Sequence, residues 1–331
     1  MTDKRNKALI FGISGQDGAY LSKFLLDKKY SVYGISRDCD LNPFTNLKKL
    51  SILKKIKLRS VSVTDFRGVI ESIEDIQPNE IYNLSGQSSV GLSFQQPIET
   101  LNSLITLPLN ILEAIRYLKL NTRFYQASSG ECYGDTIKKG ANESTLFHPR
   151  SPYGVGKASA HWIVTNYRES FDIFASCGIL FNHESPLRPE RFVTKKIISG
   201  IVDIYEGKRK YLTLGNLDVV RDWGWAPEYV EAMWKILNYK YPEDFIIATG
   251  EGHSLKEFVY TALNIMGFSA KKHLKIDKNL YRPNDISYSV GYAVKAKKYL
   301  KWKATTRMNG VVRNLLQSEL NERNINFTCT D

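Results

Sequence analysis

The chain has 331 residues, 43% of them hydrophobic and 24% charged, with 46 Lys and Arg against 34 Asp and Glu and a formal net charge of +12. That length and apolar content suit one main domain plus a smaller partner and need no staples, and Cys39, Cys132, Cys177 and Cys329 show neither metal-ligand nor disulfide spacing. No signal peptide and no apolar run of membrane-spanning length is visible, so a cytoplasmic protein with no membrane partner and no metal is expected.

The positive balance is spread along the chain rather than gathered in a stripe. Its densest run, Lys48 to Arg59, interleaves lysines with apolar residues, as a solvated helix face leading into a strand does. The charge admits two readings, nucleic-acid binding or a basic surface that attracts a small polyanion such as a nucleotide sugar; no module for DNA or RNA recognition is visible, so nucleic acid is not expected as a partner, and a lysine-biased composition accounts for the excess as well.

In chain order, Ala8 to Phe11 reads as an apolar strand that runs into three glycines and then a helix with Leu21, Phe24 and Leu25 on one side. Glycines there permit a tight turn and close approach of a pyrophosphate to a helix N-terminus, whose amides and dipole favour anions. Gly12, Ile13, Ser14, Gly15, Gln16, Asp17 and Gly18 are therefore the expected dinucleotide-binding turn. Further strands are expected at Ser31 to Ile35, Lys57 to Ser62, Glu80 to Leu84, Arg123 to Ala127, Phe174 to Leu180 and Phe245 to Ala248. Their alternation with helical patterns predicts an α/β fold, a Rossmann-type doubly wound parallel sheet with a smaller C-terminal substrate-binding lobe. The boundaries expected are 1–182 for the dinucleotide domain and 183–331 mainly for the lobe, with a returning strand near 245–249. Ligands lie outside the carboxyl ends of such strands, so Gly12, Arg37, Ser85, Ser129 and Asn182 are expected to face one crevice.

Between the fifth and sixth strands lies Ser151-Pro-Tyr153-Gly-Val-Gly-Lys157. A tyrosine and a lysine four residues apart share a helix face, which places an ammonium beside a phenol. Ionising tyrosine near neutral pH needs about 4 kcal/mol of differential stabilisation, and one cation at about 4 Å in an effective dielectric near 20 supplies about that much. Tyr153 is the expected general base, held anionic by Lys157.

Beyond these patterns, several blocks carry a family resemblance: Tyr82-Asn-Leu-Ser-Gly-Gln-Ser88, Phe124-Tyr-Gln-Ala-Ser-Ser129, Ile179-Leu-Phe-Asn-His-Glu-Ser-Pro186, Phe192-Val-Thr194, Leu214-Gly-Asn-Leu-Asp218 and Arg221-Asp-Trp-Gly224. With the glycine turn they resemble the GDP-mannose 4,6-dehydratases, which are extended short-chain dehydrogenases. The resemblance implies tightly held NADP (NAD being the alternative), a GDP-sugar substrate and a homodimer or homotetramer. It implies that Ser129 assists Tyr153 at the sugar O4 and that Glu131 takes the C5 proton. It places Leu84, Gln87, Ser88, His183 and Arg188 near the cofactor together with Tyr153 and Lys157. The sugar nucleotide is implied to meet Ser85, Ser129, Asn182, Lys196, Arg221, Arg282 and Asp285. Arg37 suits a 2′-phosphate, whereas its neighbour Asp38 suits a bare ribose hydroxyl.

Four positions depart from the family pattern: Gly130 for serine or aspartate, Ser62 for aspartate, Glu99 for tyrosine and Pro189 for glycine. Gly130 removes the group expected to help the C6 hydroxyl leave, so Glu131 or water has to serve. A GDP-sugar 4-reductase or epimerase needs the serine, tyrosine and lysine but no carboxylate at 131. A non-catalytic dinucleotide-binding regulator needs none of the four.

Overall fold

Alternation along the first strand decides both faces of the sheet. In β1 (Lys7–Phe11) Ala8 and Ile10 join one apolar core while Leu9 and Phe11 join another, as the period of two in a pleated strand requires. The computed structural model describes residues 6–137, 139–281 and 284–327. β1 is followed by β2 (Ser31–Ser36), β3 (Lys57–Ser60), β4 (Glu80–Asn83), β5 (Arg123–Ser129), β6 (Ala175–Leu180) and β7 (Phe245–Ile247). All seven are parallel, in the order β7-β6-β5-β4-β1-β2-β3. The expected α/β sheet is therefore present, with β7 supplied from the C-terminal half.

Leu21 and Leu25 of the helix Gln16–Asp27 pack on one face with Tyr229 and Met233 of the helix Ala226–Leu237. The other face is covered by Val69 and Ile73, by Leu107 and Ile111, and by Val164, from the helices Phe66–Ile76, Pro97–Tyr117 and Pro152–Phe171. Strand order reverses between β1 and β4, which opens a crevice at their carboxyl ends. Gly12 ends β1 with φ +84, and a Cβ there would lie 2.8 Å from the backbone of Leu84 and Ser85. Only glycine lets the two strand exits approach this closely.

A third core belongs to the C-terminal lobe, where Ile197, Ile201, Phe258, Val259, Val312 and Leu316 meet from the helices Val193–Tyr205, Leu255–Ile265 and Met308–Glu322. Small strands complete it: Leu212–Leu214 beside Leu274–Ile276, and Val220–Arg221 between His253–Ser254 and Tyr288–Ser289. Ile325 and Phe327, just past the helix Met308–Glu322, pack against this core. The basic run at 48–59 does bury its apolar side: Ile52 and Ile56 enter the first core. No helix among the described residues is long and apolar enough to cross a membrane.

Candidate active site

Ser151 and Pro152 fix where the helix Pro152–Phe171 begins. The Ser151 hydroxyl accepts the Gly154 amide at 3.1 Å and proline occupies the first turn, a combination that caps one orphan donor and needs no other there. The helix thereby carries Tyr153 and Lys157 into the crevice, 9% and 6% exposed. Lys157 Nζ lies 5.8 Å from the centre of the Tyr153 ring and donates to the Ala127 carbonyl at 2.8 Å. Burial holds the Lys157 ammonium down from 10.5 to about 8. The same burial pushes the Tyr153 phenol well above its usual value, although a hydrogen bond from Ser129 and the charge of Arg188 pull the other way. Lys157, spent on a carbonyl, therefore does not by itself offset the desolvation of the phenol.

β5 delivers the other two groups. Ser129 is its last residue, and its hydroxyl accepts the Glu131 amide at 3.2 Å as the chain turns through the 3-10 segment Gly130–Cys132. Glu131 is close enough to raise the phenol further through its charge. At Gly130 a Cβ would lie 2.9 to 3.1 Å from three ring carbons of Phe181, which is itself 2% exposed. Phe181 therefore fills the space that a side chain at 130 needs.

The glycine turn and the Asn-His-Glu-Ser segment after β6 are knitted together. Gln16 Nε2 donates to the His183 carbonyl at 3.2 Å, Ser185 Oγ donates to Gln16 Oε1 at 2.8 Å, and His183 Nε2 lies 2.9 Å from Asp17 Oδ2. His183 Nδ1 faces the Phe181 carbonyl at 2.7 Å. Both ring nitrogens face oxygens that accept, an arrangement that favours the doubly protonated ring. Burial works against that charge, but Asp17 outweighs it and the His183 pKa is raised. Asp17 is lowered to about 2, since His183 outweighs its own desolvation. Gln16 and Asp17, expected only as cofactor contacts, also lock two motifs to each other.

One cleft gathers Asp17, Leu84, Ser88, Ser129, Glu131, Tyr153, Lys157, Asn182, His183, Arg188, Arg221 and Asp285. Arg221, 8% exposed, pairs with Asp285 at 3.2 Å and donates to the Ile286 and Val220 carbonyls, so its fork is partly committed to fixing the loop that carries Asp285. Arg37 does not share this cleft. It lines a second cavity with Ser62, Thr64, Glu99, Asn102 and Ser103, because β2 lies one strand beyond β1 on the far side of the reversal. Ser85 is turned to Asn83, its hydroxyl 2.7 Å from Oδ1, and Gln87 folds onto Ser89; neither lines the cleft. Lys196 is exposed on its helix and also outside the lining, while the adjacent Lys195 is buried against Glu319 at 2.5 Å. Arg282 lies outside the described residues. Glu184, Thr194 and Trp223 line the cleft without having been singled out, although each sits inside a quoted sequence block. No cluster of His, Cys, Asp and Glu among the described residues is arranged to hold a metal ion.

The donor set fits a nicotinamide dinucleotide. The helix Gln16–Asp27 starts at Gly15 with no side-chain cap, which leaves first-turn amides for a phosphate. Arg188 Nε is buried in the cleft wall without a hydrogen bond, although Glu184 Oε2 is 3.2 Å away; the contact is close enough for an ion pair but not aligned for donation.

A family profile described as GDP-mannose 4,6 dehydratase matches residues 9–315. The chain is similar to the GDP-mannose 4,6 dehydratase of Homo sapiens, 40% identical over 345 residues that cover 97% of this chain and 93% of the relative. It is also similar to the GDP-mannose 4,6-dehydratase of Vibrio cholerae, 39% identical over 352 residues, with coverage of 95% and 94%. Among solved structures, a dTDP-glucose 4,6-dehydratase from Streptomyces venezuelae matches with a TM-score of 0.84 at 15% identity, covering 96% of this chain and 98% of that one. A UDP-glucose 4-epimerase from Thermotoga maritima matches with a TM-score of 0.83 at 20% identity, covering 96% and 99%. At such identities the structural likeness establishes the fold alone.

Proposed function

We propose, from the premise that this chain belongs to the GDP-mannose 4,6-dehydratase family of hydro-lyases, that Ser129, Glu131, Tyr153 and Lys157 carry its dehydration of GDP-mannose, with NADP held across the glycine turn. The observation that supports this most is the hydrogen-bonded Ser129 and Tyr153 pair with Glu131 beside it in a cleft that also holds Arg188 and Arg221. Oxidised NADP, when bound, supplies a hydride acceptor for C4, a hydride donor for C6 and a positive charge beside the Tyr153 phenol. Residues 12–18 would hold its pyrophosphate, and Arg37 its 2′-phosphate.

With that positive charge added to that of Lys157, Tyr153 would ionise and take the O4 proton, while Ser129 donates a hydrogen bond to the same oxygen as the ketone forms. Lys157, near pH 8 in its titration, is charged at neutral pH and orients the phenol side of the site from the Ala127 carbonyl. The ketone acidifies C5, whose proton passes to Glu131. Since Phe181 occupies the space of a side chain at 130, Glu131 also returns that proton to the departing C6 hydroxyl, which leaves as water. A second proton then restores C5, balanced by the O4 proton that Tyr153 gives up to solvent as it returns to its starting state.

NADP is favoured over NAD by what Asp38 does. Its Oδ1 accepts the Asp40 and Leu41 amides, both at 2.9 Å, which ties the carboxylate to its own loop and supports a cofactor held through Arg37. The test is incubation with NADP and GDP-mannose, followed by mass. A loss of about 18 mass units without NADPH accumulation, abolished in Glu131→Gln, is expected for acid and base work by one carboxylate. No dehydration despite measured dinucleotide binding would sink the GDP-mannose reading.

A further inference from the structure

Of the carboxylates lining the cleft, Glu184 is the most deeply buried among the described residues, 2% exposed. A charge taken that far from water persists only where partners are fixed. Thr194 Oγ1 donates to its Oε2 at 2.7 Å, and the same oxygen stands 3.2 Å from Arg188 Nε. Phe192 supplies the third restraint: its ring centre is 4.0 Å from the guanidinium carbon of Arg188. Arg188 is thus held at its inner edge by a carboxylate and on one face by an aromatic ring, which fixes the plane of a rigid fork. The charge of Arg188 acts on Asp17, Tyr153 and His183, so the cation stands at the meeting point of the glycine turn and the reacting groups.

We infer that Glu184 is a positioning residue: it touches no ligand, but it aims Arg188 so that the Nη edge meets an anionic oxygen of the bound dinucleotide. This rests on the reading of the cleft as a dinucleotide site. Aiming works by paying for the guanidinium's orientation before binding, and it fails when the carboxylate loses its charge.

The experiment is a double-mutant cycle in the full-length protein, with the Kd for NADP+ measured by titration calorimetry and Tm recorded for every variant. Arg188→Gln weakens NADP+ by about thirtyfold, within the range of a charge-assisted hydrogen bond. Glu184→Gln, which keeps shape and an acceptor for Thr194, weakens it by about tenfold. With Arg188 already glutamine, the same change adds less than about twofold, because nothing is left to aim. A tenfold loss in both backgrounds, or none in either, overturns the inference, since a structural role moves Tm but does not depend on Arg188. If Glu184→Gln does not fold, Thr194→Val removes the restraint on Oε2 while keeping both charges. A loss of about threefold then supports the inference and an unchanged Kd overturns it. A wild type that binds neither NADP+ nor NAD+ overturns the cofactor reading together with this inference. Binding in which the two variants act independently overturns this inference alone.

Discussion

Lys157→Met should make the protein more stable and inactive. The native lysine is 6% exposed and its pKa is lowered from 10.5 to about 8 by burial. Folding therefore forces the ammonium into a poor environment, and the gap corresponds to about 3 kcal/mol at 1.36 kcal/mol per pH unit. The sign follows from proton counts. Between pH 8 and 10.5 the unfolded chain holds the proton more tightly than the native one, so wild-type stability rises with pH across that window, and below it the penalty is fully present. Methionine fills a similar volume with no charge, but it leaves the Ala127 carbonyl, now 2.8 Å from Nζ, without its donor, at about 1 kcal/mol. The net expectation at pH 7 is a gain of about 2 kcal/mol, or a rise in Tm of roughly 4 °C. That gain should vanish by pH 10.5, where the wild type no longer carries the penalty. Urea unfolding of both proteins at pH 7, 9 and 10.5 measures it. A variant less stable than wild type at pH 7, or a difference that ignores pH, would refute the reasoning that this lysine is held at a cost for catalysis.

Three other substitutions probe other parts of the site. Asp17→Asn should lower stability at pH 7 by about 2 kcal/mol, because a carboxylate held down to about 2 stabilises the fold above pH 4 and loses that contribution as pH falls towards 2; acid unfolding midpoints of the two proteins should converge at the low end. Arg37→Ala should weaken NADP+ binding by about tenfold or more and leave NAD+ nearly unchanged, measured by calorimetry, since only the former brings a phosphate to the second cavity. Gly130→Ser should destabilise by about 1 to 3 kcal/mol through overpacking against Phe181, and in a Phe181→Ala background the thermal shift should largely disappear; equal shifts in both would place the strain elsewhere.

The sheet was legible because parallel buried strands write themselves as short apolar runs, and those expected all appear within two residues at either end. β5 extends through Ser128 and Ser129, whose hydroxyl side chains hide a strand end that is still paired with β6. The pairing Tyr153 and Lys157 was legible from spacing alone, but its electrostatics were not. Spacing gives the distance between two groups and says nothing of how much water each has lost, and here desolvation decides both pKa directions. Lys196 illustrates the same limit at the level of a helix face. A one-residue step along the helix Val193–Tyr205 turns an exposed lysine into the buried Lys195 bound to Glu319, and nothing in Lys-Lys says which of the two points inward.

The +12 balance of the chain likewise fails to mark the site, and the reason lies in how the cleft is wired. Its charges come mostly as matched pairs, Asp17 with His183, Glu184 with Arg188 and Asp285 with Arg221, each bringing a carboxylate for every cation. Such pairing contributes little net charge at a distance, so the surface lysines dominate any count, while inside the cleft each carboxylate fixes where its cation points. A guanidinium fixed before the ligand arrives loses less freedom on binding than one recruited from solvent. On the proposed reading an anionic ligand would be met by the direction of these donors rather than by excess charge, and the residues that would set those directions, Asp17, Glu184 and Asp285, are acids that a search for phosphate-binding cations passes over.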